Sequence, residues 1–131
     1  MKQKPVVLLV DDDEMTRGLI TFSLQQNGFN VFAESDGLHA VIRLKEQRPD
    51  LVILDVMLPD LSGLELLNIM RIEMSMTDIP VILISRLTYP KVISAAHKLG
   101  ATEYLIKPFK TEQLLEIIAA LPGFEVKPAS L

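Results

Sequence analysis

The sequence contains no cysteine and no tryptophan, and aromatic residues account for only 5% of its 131 positions. Without cysteine, the chain can form neither disulfides nor thiolate metal sites, and thiol catalysis is excluded. No apolar run reaches the roughly 20 residues that a membrane-spanning helix requires. The apolar run at residues 5–10 is shorter than the core of a signal peptide, and acidic residues follow it directly. We therefore expect a cytoplasmic protein without a membrane segment.

The composition and charge narrow the function classes further. Hydrophobic residues make up 49% of the chain and charged residues 23%, and the formal net charge is -4. Such values, at this length, are typical of one globular domain. The acidic balance argues against direct contact between this domain and nucleic acid.

Short apolar segments alternate with segments of helical periodicity along the chain. The predicted strands are residues 5–10, 30–33, 51–55, 81–85 and 103–106. The predicted helices are residues 14–27, 36–47, 63–74, 90–99 and 111–121, with Asp36 and Thr111 as caps. Five β-α units predict an α/β fold, a single-domain doubly wound parallel sheet with helices on both faces. We favour the flavodoxin-like strand order 2-1-3-4-5.

Two further features concern the first helix and the end of the chain. Met15, Leu19 and Phe22 are apolar at helical spacing in the first helix. Residues 1–121 are expected to form the domain. Residues 122–131 lose helical periodicity and contain proline and serine, which is typical of a C-terminal tail or the start of a linker.

Polar residues follow the predicted strands at the edge where such sheets bind ligands. The first strand is followed by the acidic run 11–14, and the third ends in Asp55. The fourth ends in Ser85, and the fifth is followed by Lys107. We expect these side chains to lie close together, although they are far apart in sequence.

Converging carboxylates repel each other unless a cation lies among them. Oxygen ligands without histidine or cysteine favour a hard ion, Mg²⁺ first and Mn²⁺ as the alternative. A bound metal allows an aspartate to act as a nucleophile toward a phosphoryl group. A lysine and a serine hydroxyl could then bind the phosphate oxygens. Each residue alone also has an ordinary structural interpretation, as a turn residue, helix cap or solvated charge.

The motifs LLVDDDE, LVILDVMLPDLSGLEL, PVILIS and YLIKPF occur in this order. With them, the sequence resembles the receiver domain of two-component response regulators over about residues 5–121. The spacing also fits, with 30 residues from Asp55 to Ser85 and 22 from Ser85 to Lys107. Each motif alone is weak, whereas all four at family spacing are highly specific.

The resemblance implies a role for each matching residue. Asp55 corresponds to the phosphoacceptor, and Asp11 and Asp12 to the acidic pair that binds the metal. Met57 would ligate the metal through its backbone carbonyl, and Lys107 would bind the phosphate.

The resemblance also implies how the signal would leave the site. Ser85 and Tyr104 correspond to the switch residues, and Pro59 and Gly63 to the loop that presents the acceptor. The bond between Lys107 and Pro108 would be cis.

The implied function is a phosphorylation-dependent switch. The phosphoryl group would come from a sensor histidine kinase or a histidine phosphotransfer protein. The surface formed by the fourth helix, fifth strand and fifth helix would change and contact a partner, an output domain or a second copy of the domain. Beyond assisting its own aspartyl phosphorylation and dephosphorylation, the domain would not be an enzyme.

One position departs from the family pattern, and two other functions stay open. Arg86 follows the switch serine where the family usually carries a small residue, so we hypothesise that it modulates dephosphorylation. A pseudo-receiver would keep the fold as an interaction module without phosphorylation. A haloacid-dehalogenase-like phosphatase would use Asp11 as nucleophile, with Asp13 two residues on, but it needs an acidic pair after the lysine, which is missing here.

Overall fold

The structure is a computed structural model, and it describes residues 3–127. Within this part of the chain, five strands alternate with five α-helices. The strands are β1 Val6–Val10, β2 Asn30–Glu34, β3 Leu51–Asp55, β4 Val81–Ser85 and β5 Glu103–Ile106. The helices are α1 Glu14–Gln26, α2 Gly37–Glu46, α3 Gly63–Asn68, α4 Pro90–Lys98 and α5 Thr111–Ala120. A π-helical turn, Ile69–Glu73, extends α3.

All strand pairs are parallel, and the order is β2-β1-β3-β4-β5, which confirms the predicted topology. The register brings the strand ends level. Asp55 pairs with Ile84, and Ser85 pairs with Ile106. The residues that follow β1, β3, β4 and β5 therefore meet at one edge of the sheet.

Helices cover both faces of the sheet and bury two hydrophobic clusters. Along β1, Val7 and Leu9 belong to one cluster and Leu8 and Val10 to the other, because successive strand side chains point to opposite faces. The first cluster includes residues of α1 and α5, and the second includes residues of α2, α3 and α4. No helix within residues 3–127 has the length and apolar character needed to cross a bilayer.

The apolar residues of α1 lie differently from what their spacing suggests. Met15, Leu19 and Phe22 are 74%, 60% and 63% exposed, whereas Ile20 and Leu24 are buried. The i, i+4 pair that packs on the sheet is the second one, so α1 carries an apolar stripe on its outer side. Gly18 also lies exposed on this helix, and no neighbouring heavy atom lies within 4 Å of the place where its Cβ would stand.

The predicted helix caps are confirmed in one case and wrong in the other. The Asp36 carboxylate accepts a hydrogen bond from the His39 N–H at 2.8 Å and caps α2 as expected. Thr111 is the first helical residue of α5, and the cap position is Lys110. The Gln113 side chain accepts the Lys110 N–H at 2.8 Å, so a residue within α5 caps the start of this helix.

The segment after α5 packs along the domain as far as it is described. Phe124 and Val126 pack against the cluster under α1 and α5. The Lys127 N–H donates to the Asn27 carbonyl at 3.0 Å. The last four residues of the predicted tail, 128–131, lie outside the described part. The domain boundary at residue 121 stays a prediction.

Arg71 ties together the amino-terminal edge of the sheet. Its guanidinium donates to the carbonyl oxygens of Met76, Ile79 and Gly100, each at 2.7 Å. These carbonyls belong to the segments that lead into β4 and β5. One side chain thus joins the end of the π-helical turn to the turn after α4, where Gly100 has a φ of 98° that favours glycine.

Candidate functional site

Three carboxylates meet at the carboxyl-terminal edge of the sheet, as predicted. Asp11 and Asp12 directly follow β1, and Asp55 ends β3. The three side chains each offer an oxygen, and these oxygens lie within 4.8 Å of one another. Asp11 and Asp55 are buried, whereas Asp12 is exposed. A cluster of oxygen donors with one open side fits a hard divalent cation that keeps some of its waters.

Lys107 lies between the two buried carboxylates. Its Nζ is 2.8 Å from Asp11 Oδ2 and 2.8 Å from Asp55 Oδ2. Burial lowers the pKa of Lys107, but the hydrogen bonds to these two carboxylates outweigh burial, so the pKa is raised and the ammonium stays charged. The Lys107 N–H donates to the Ser85 carbonyl at 2.8 Å, and the bond to Pro108 is cis, as the family resemblance implied.

The pKa of Asp55 is raised. Burial is the largest cause, and the charge of Asp11 adds to it. Hydrogen bonds from Lys107 and from the Met57 N–H, the latter at 2.9 Å, oppose the shift without cancelling it. A carboxylate that is more basic than usual is also the better nucleophile once its charge is compensated.

Gly63 packs closely against the end of β3. Its N–H donates to the Val56 carbonyl at 2.7 Å. A Cβ at this position would lie 2.3 Å from the Asp55 carbonyl oxygen and 2.8 Å from Val56 Cα. Both are backbone atoms that cannot move aside, so the first residue of α3 must be glycine for Asp55 to stand where it does. Pro59, the other residue predicted for this loop, is exposed.

The residues predicted to act as a switch meet at the backbone of Leu87. The Ser85 hydroxyl, which is buried, accepts the Leu87 N–H at 3.0 Å. The Tyr104 hydroxyl donates to the Leu87 carbonyl at 2.8 Å. One residue of the loop between β4 and α4 therefore connects the serine at the site with the tyrosine on β5.

Arg86 lies on the α1 side of the site and is exposed. It lines a cavity of about 260 Å³ together with Thr16, Leu19 and Lys107. The pKa of nearby Asp13 is lowered, chiefly by hydrogen bonds from Thr16 and less by the charges of Lys107 and Arg86. The guanidinium therefore contributes positive charge beside the first turn of α1, next to the acidic cluster.

Sequence reasoning missed Asp60. Its Oδ1 accepts the Gly37 N–H at 2.9 Å, and its Oδ2 accepts the Leu38 N–H at 2.8 Å. Asp60 connects the loop that follows Asp55 to the start of α2. In the sequence it stands in the turn-rich segment VMLPDLSG, where an aspartate is ordinary, and nothing marks its partner 23 residues away.

Both histidines of the chain lie at the surface. His97 is exposed, and His39 is exposed by 63% of its side chain. His39 Nδ1 lies 2.7 Å from Asp36 Oδ2. The hydrogen bond and the charge of Asp36 raise the pKa of His39, so it stabilises the start of α2 rather than the acidic cluster.

A family model described as "Response regulator receiver domain" matches residues 7–119. Among curated proteins, the chain is 35% identical over 119 residues to the probable transcriptional regulatory protein TcrX of Mycobacterium tuberculosis. That match covers 91% of this chain and 50% of TcrX. The alkaline phosphatase synthesis transcriptional regulatory protein PhoP of Bacillus subtilis is 33% identical, with 88% of this chain and 47% of PhoP covered. The chain spans about half the length of these relatives.

Solved structures show the same fold. The chemotaxis response regulator CheY4 of Vibrio cholerae matches with a TM-score of 0.83 and 30% identity, over 88% of this chain and 96% of that one. The receiver domain of the Francisella response regulator 1452 matches with a TM-score of 0.81 and 31% identity, over 86% and 92%.

Proposed function

The chain belongs to the response regulator receiver domain family of two-component systems, and from this membership we propose that Asp55 is the acceptor of its phosphorylation-dependent switch. The observation that carries the assignment is the placement of Lys107, whose Nζ lies 2.8 Å from both Asp11 and Asp55. A cation held by two buried carboxylates at a ligand-binding edge has ready partners in the oxygens of a phosphoryl group.

The metal of this site is Mg²⁺, with Mn²⁺ as the alternative. Asp11, Asp12 and Asp55 would hold it, together with the backbone carbonyl of Met57. The fit rests on three carboxylate oxygens within 4.8 Å of one another and on the absence of nitrogen or sulfur from this donor set. When bound, the ion neutralises the charge of the incoming phosphate and of the carboxylates around it.

The phosphoryl donor is a phosphohistidine, because histidine kinases phosphorylate receiver domains. An Asp55 carboxylate oxygen forms the new bond to phosphorus while the phosphorus–nitrogen bond breaks. The imidazole nitrogen leaves with the electron pair and takes a proton from solvent. Lys107 keeps its charge and donates to the phosphoryl oxygens in place of a carboxylate. This chain therefore assists its own phosphorylation and dephosphorylation and is otherwise no enzyme.

The switch passes through Leu87. In the unphosphorylated domain the Ser85 hydroxyl accepts the Leu87 N–H. Once a phosphoryl group is attached to Asp55, this hydroxyl leaves Leu87 and donates to a phosphoryl oxygen, and the loop before α4 moves with it. Tyr104 shares the Leu87 backbone and packs with that loop. The surface of α4, β5 and α5 changes as a result and contacts the output partner.

A second copy of the domain is a further partner for this surface. The charged residues of α4 are basic, namely Lys91 and Lys98, with His97 beside them. Those of β5 and α5 are acidic, namely Glu103, Glu112 and Glu116. A twofold axis would place α4 of one copy against α5 of the other, where these charges attract. Light scattering of the phosphorylated protein should then give the mass of a dimer, and a monomer mass would contradict the pairing.

Incubation with Mg²⁺ and phosphoramidate, a small phosphodonor, tests the central assignment. We expect mass spectrometry to find one added phosphoryl group on the wild-type protein and none on Asp55→Asn. Continuous phosphate release that depends on Asp11 would favour a phosphatase. A wild-type protein that never gains the adduct would be a pseudo-receiver.

Arg86 is proposed to modulate the lifetime of the phosphorylated state. Its positive charge stands beside α1, where Arg86 and Lys107 line the same cavity. Replacing it by alanine, as in Arg86→Ala, should change the decay rate of the aspartyl phosphate. Identical decay in the two proteins would leave Arg86 without this role.

A further inference from the structure

The Asp60 carboxylate joins the loop between β3 and α3 to the start of α2. Both of its oxygens accept hydrogen bonds from α2, Oδ1 from Gly37 and Oδ2 from Leu38. Oδ1 also accepts the N–H of Leu61 at 2.9 Å. These bonds lower the pKa of Asp60, with the Gly37 hydrogen bond as the largest cause. The contact is thus a charged one at neutral pH.

The loop is seated tightly against α2. Gly37 is buried, and a Cβ added to it would lie 2.6 Å from Leu61 Cγ and 3.2 Å from Asp60 Oδ1. The first three N–H groups of α2 are shared between two aspartates, since Asp36 accepts the third, from His39. Only Asp60 comes from outside the helix and its own cap.

In the loop, Asp60 lies between Met57, which is proposed to bind the metal, and Gly63, which packs on the end of β3. Asp60 is five residues after Asp55 and three after Met57 in the sequence. At its far end the loop is fixed where Gly63 packs on the backbone of Asp55 and Val56. The backbone around Met57, which the proposed function assigns to the metal, therefore lies between two fixed points, the end of β3 and Asp60.

We propose that Asp60 is a positioning residue for the metal site. By anchoring the loop to α2, Asp60 holds the Met57 backbone in place. This inference rests on the proposed function, because it assumes that the Met57 carbonyl binds the ion. If Asp60 has this role, the start of α2 should become more ordered when a metal ion binds. Binding at the site and order at the start of α2 are linked, so each strengthens the other by the same factor.

The matched control is Asp36, which caps the same helix but makes no contact with the loop through its hydrogen bonds. Mg²⁺ affinity is measured by calorimetry on wild type, Asp60→Ala, Asp60→Asn and Asp36→Ala, well below their melting temperatures. We expect Asp60→Ala to weaken Mg²⁺ binding by about tenfold, the usual effect of losing a group that orients a metal ligand. Asp60→Asn retains one acceptor oxygen and should recover part of the affinity. Asp36→Ala loosens the same helix start without releasing the loop, so it should lose clearly less affinity than Asp60→Ala.

Amide hydrogen exchange gives a second readout that needs no phosphorylation. Mg²⁺ should slow the exchange of the Gly37 and Leu38 amides in the wild-type protein and leave them unaffected in Asp60→Ala. Equal Mg²⁺ affinity of Asp60→Ala and wild type would overturn the inference, and so would an equal loss in Asp36→Ala. A wild-type protein without Mg²⁺ affinity would overturn the proposed metal site itself and this inference with it.

Discussion

Two partly buried cations stand at opposite edges of the sheet, Lys107 at the carboxyl-terminal edge and Arg71 at the amino-terminal edge. Lys107 contacts two carboxylates, from Asp11 and Asp55. Arg71 contacts three backbone carbonyls and no carboxylate through its hydrogen bonds. Both cations are satisfied, so the difference lies in the nature of their partners.

The partners decide what each cation can do. Carboxylates are ionised side chains that repel each other, so a phosphate or a metal ion can rearrange them and release the ammonium for new contacts. Carbonyls of turns are fixed by the backbone, so a bound phosphate or metal ion does not rearrange them. Arg71 therefore holds the fold, and Lys107 is available for chemistry.

Removing the structural cation should have the largest effect on stability. In Arg71→Met, three carbonyls lose their donor, which should lower the free energy of unfolding by about 2–4 kcal/mol. Urea unfolding measures this loss, and Arg71→Lys should recover part of it. Asp55, the proposed phosphoacceptor, should still gain a phosphoryl group at temperatures where the variant is folded. An unchanged urea midpoint would contradict the structural role of Arg71. A folded variant that cannot accept a phosphoryl group would contradict the separation of stability at one edge from chemistry at the other.

At the carboxyl-terminal edge, removing the charge of Asp55, a partner of Lys107, should stabilise the protein. Burial keeps the pKa of Asp55 above its ordinary value of 3.8, so its charge opposes folding at neutral pH. Without metal, Asp55→Asn should raise the free energy of unfolding, because the neutral amide carries no charge for burial to penalise.

The gain from Asp55→Asn has a defined pH dependence. A raised folded pKa means that wild type gains stability as pH falls through that pKa toward 3.8. The difference between the two proteins should therefore be full at neutral pH and disappear near and below 3.8. Thermal melts in a chelating buffer across this range measure it, and a difference independent of pH would show that the carboxylate charge is not its cause.

An exposed cation should have the smallest effect. Asp36 raises the pKa of His39, so the protonated form stabilises α2. This contribution is present below the ordinary value of 6.5 and is lost as pH rises through the folded pKa. His39→Gln should lower the melting temperature slightly in mild acid and not in mild base, because exposed ion pairs contribute little. A large or pH-independent change would contradict this ranking of the three cations.

The sequence was sufficient for the sheet because buried parallel strands are continuous apolar runs, as in VILIS of β4. It was also sufficient for the residues at the strand ends, since topology alone brings Asp55 and Lys107 to one edge. Asp60 and Arg71 could not be found in this way. Their acceptors and donors are backbone groups of distant turns, and backbone groups leave no mark on the sequence.

The faces of the helices were harder to predict than their positions. In α1, two apolar sets at i, i+4 spacing compete, and periodicity cannot tell which one faces the sheet. Packing decides for Ile20 and Leu24, whose cluster also contains Leu114 and Ile118 of α5. Arg71 lies within the π-helical turn after α3, and its acceptors are backbone carbonyls outside that turn, so the local sequence does not mark these contacts.

The open surroundings of Gly18 offer a practical handle. A chain without cysteine gains a unique thiol from Gly18→Cys, so one spectroscopic label can be attached there with complete selectivity. Apart from the helix's own backbone, no heavy atom lies within 4 Å of the added Cβ, and glycine is a poor helix former, so the change should not harm α1. A label on the helix that begins beside Asp12 could report in real time on occupancy of the acidic cluster.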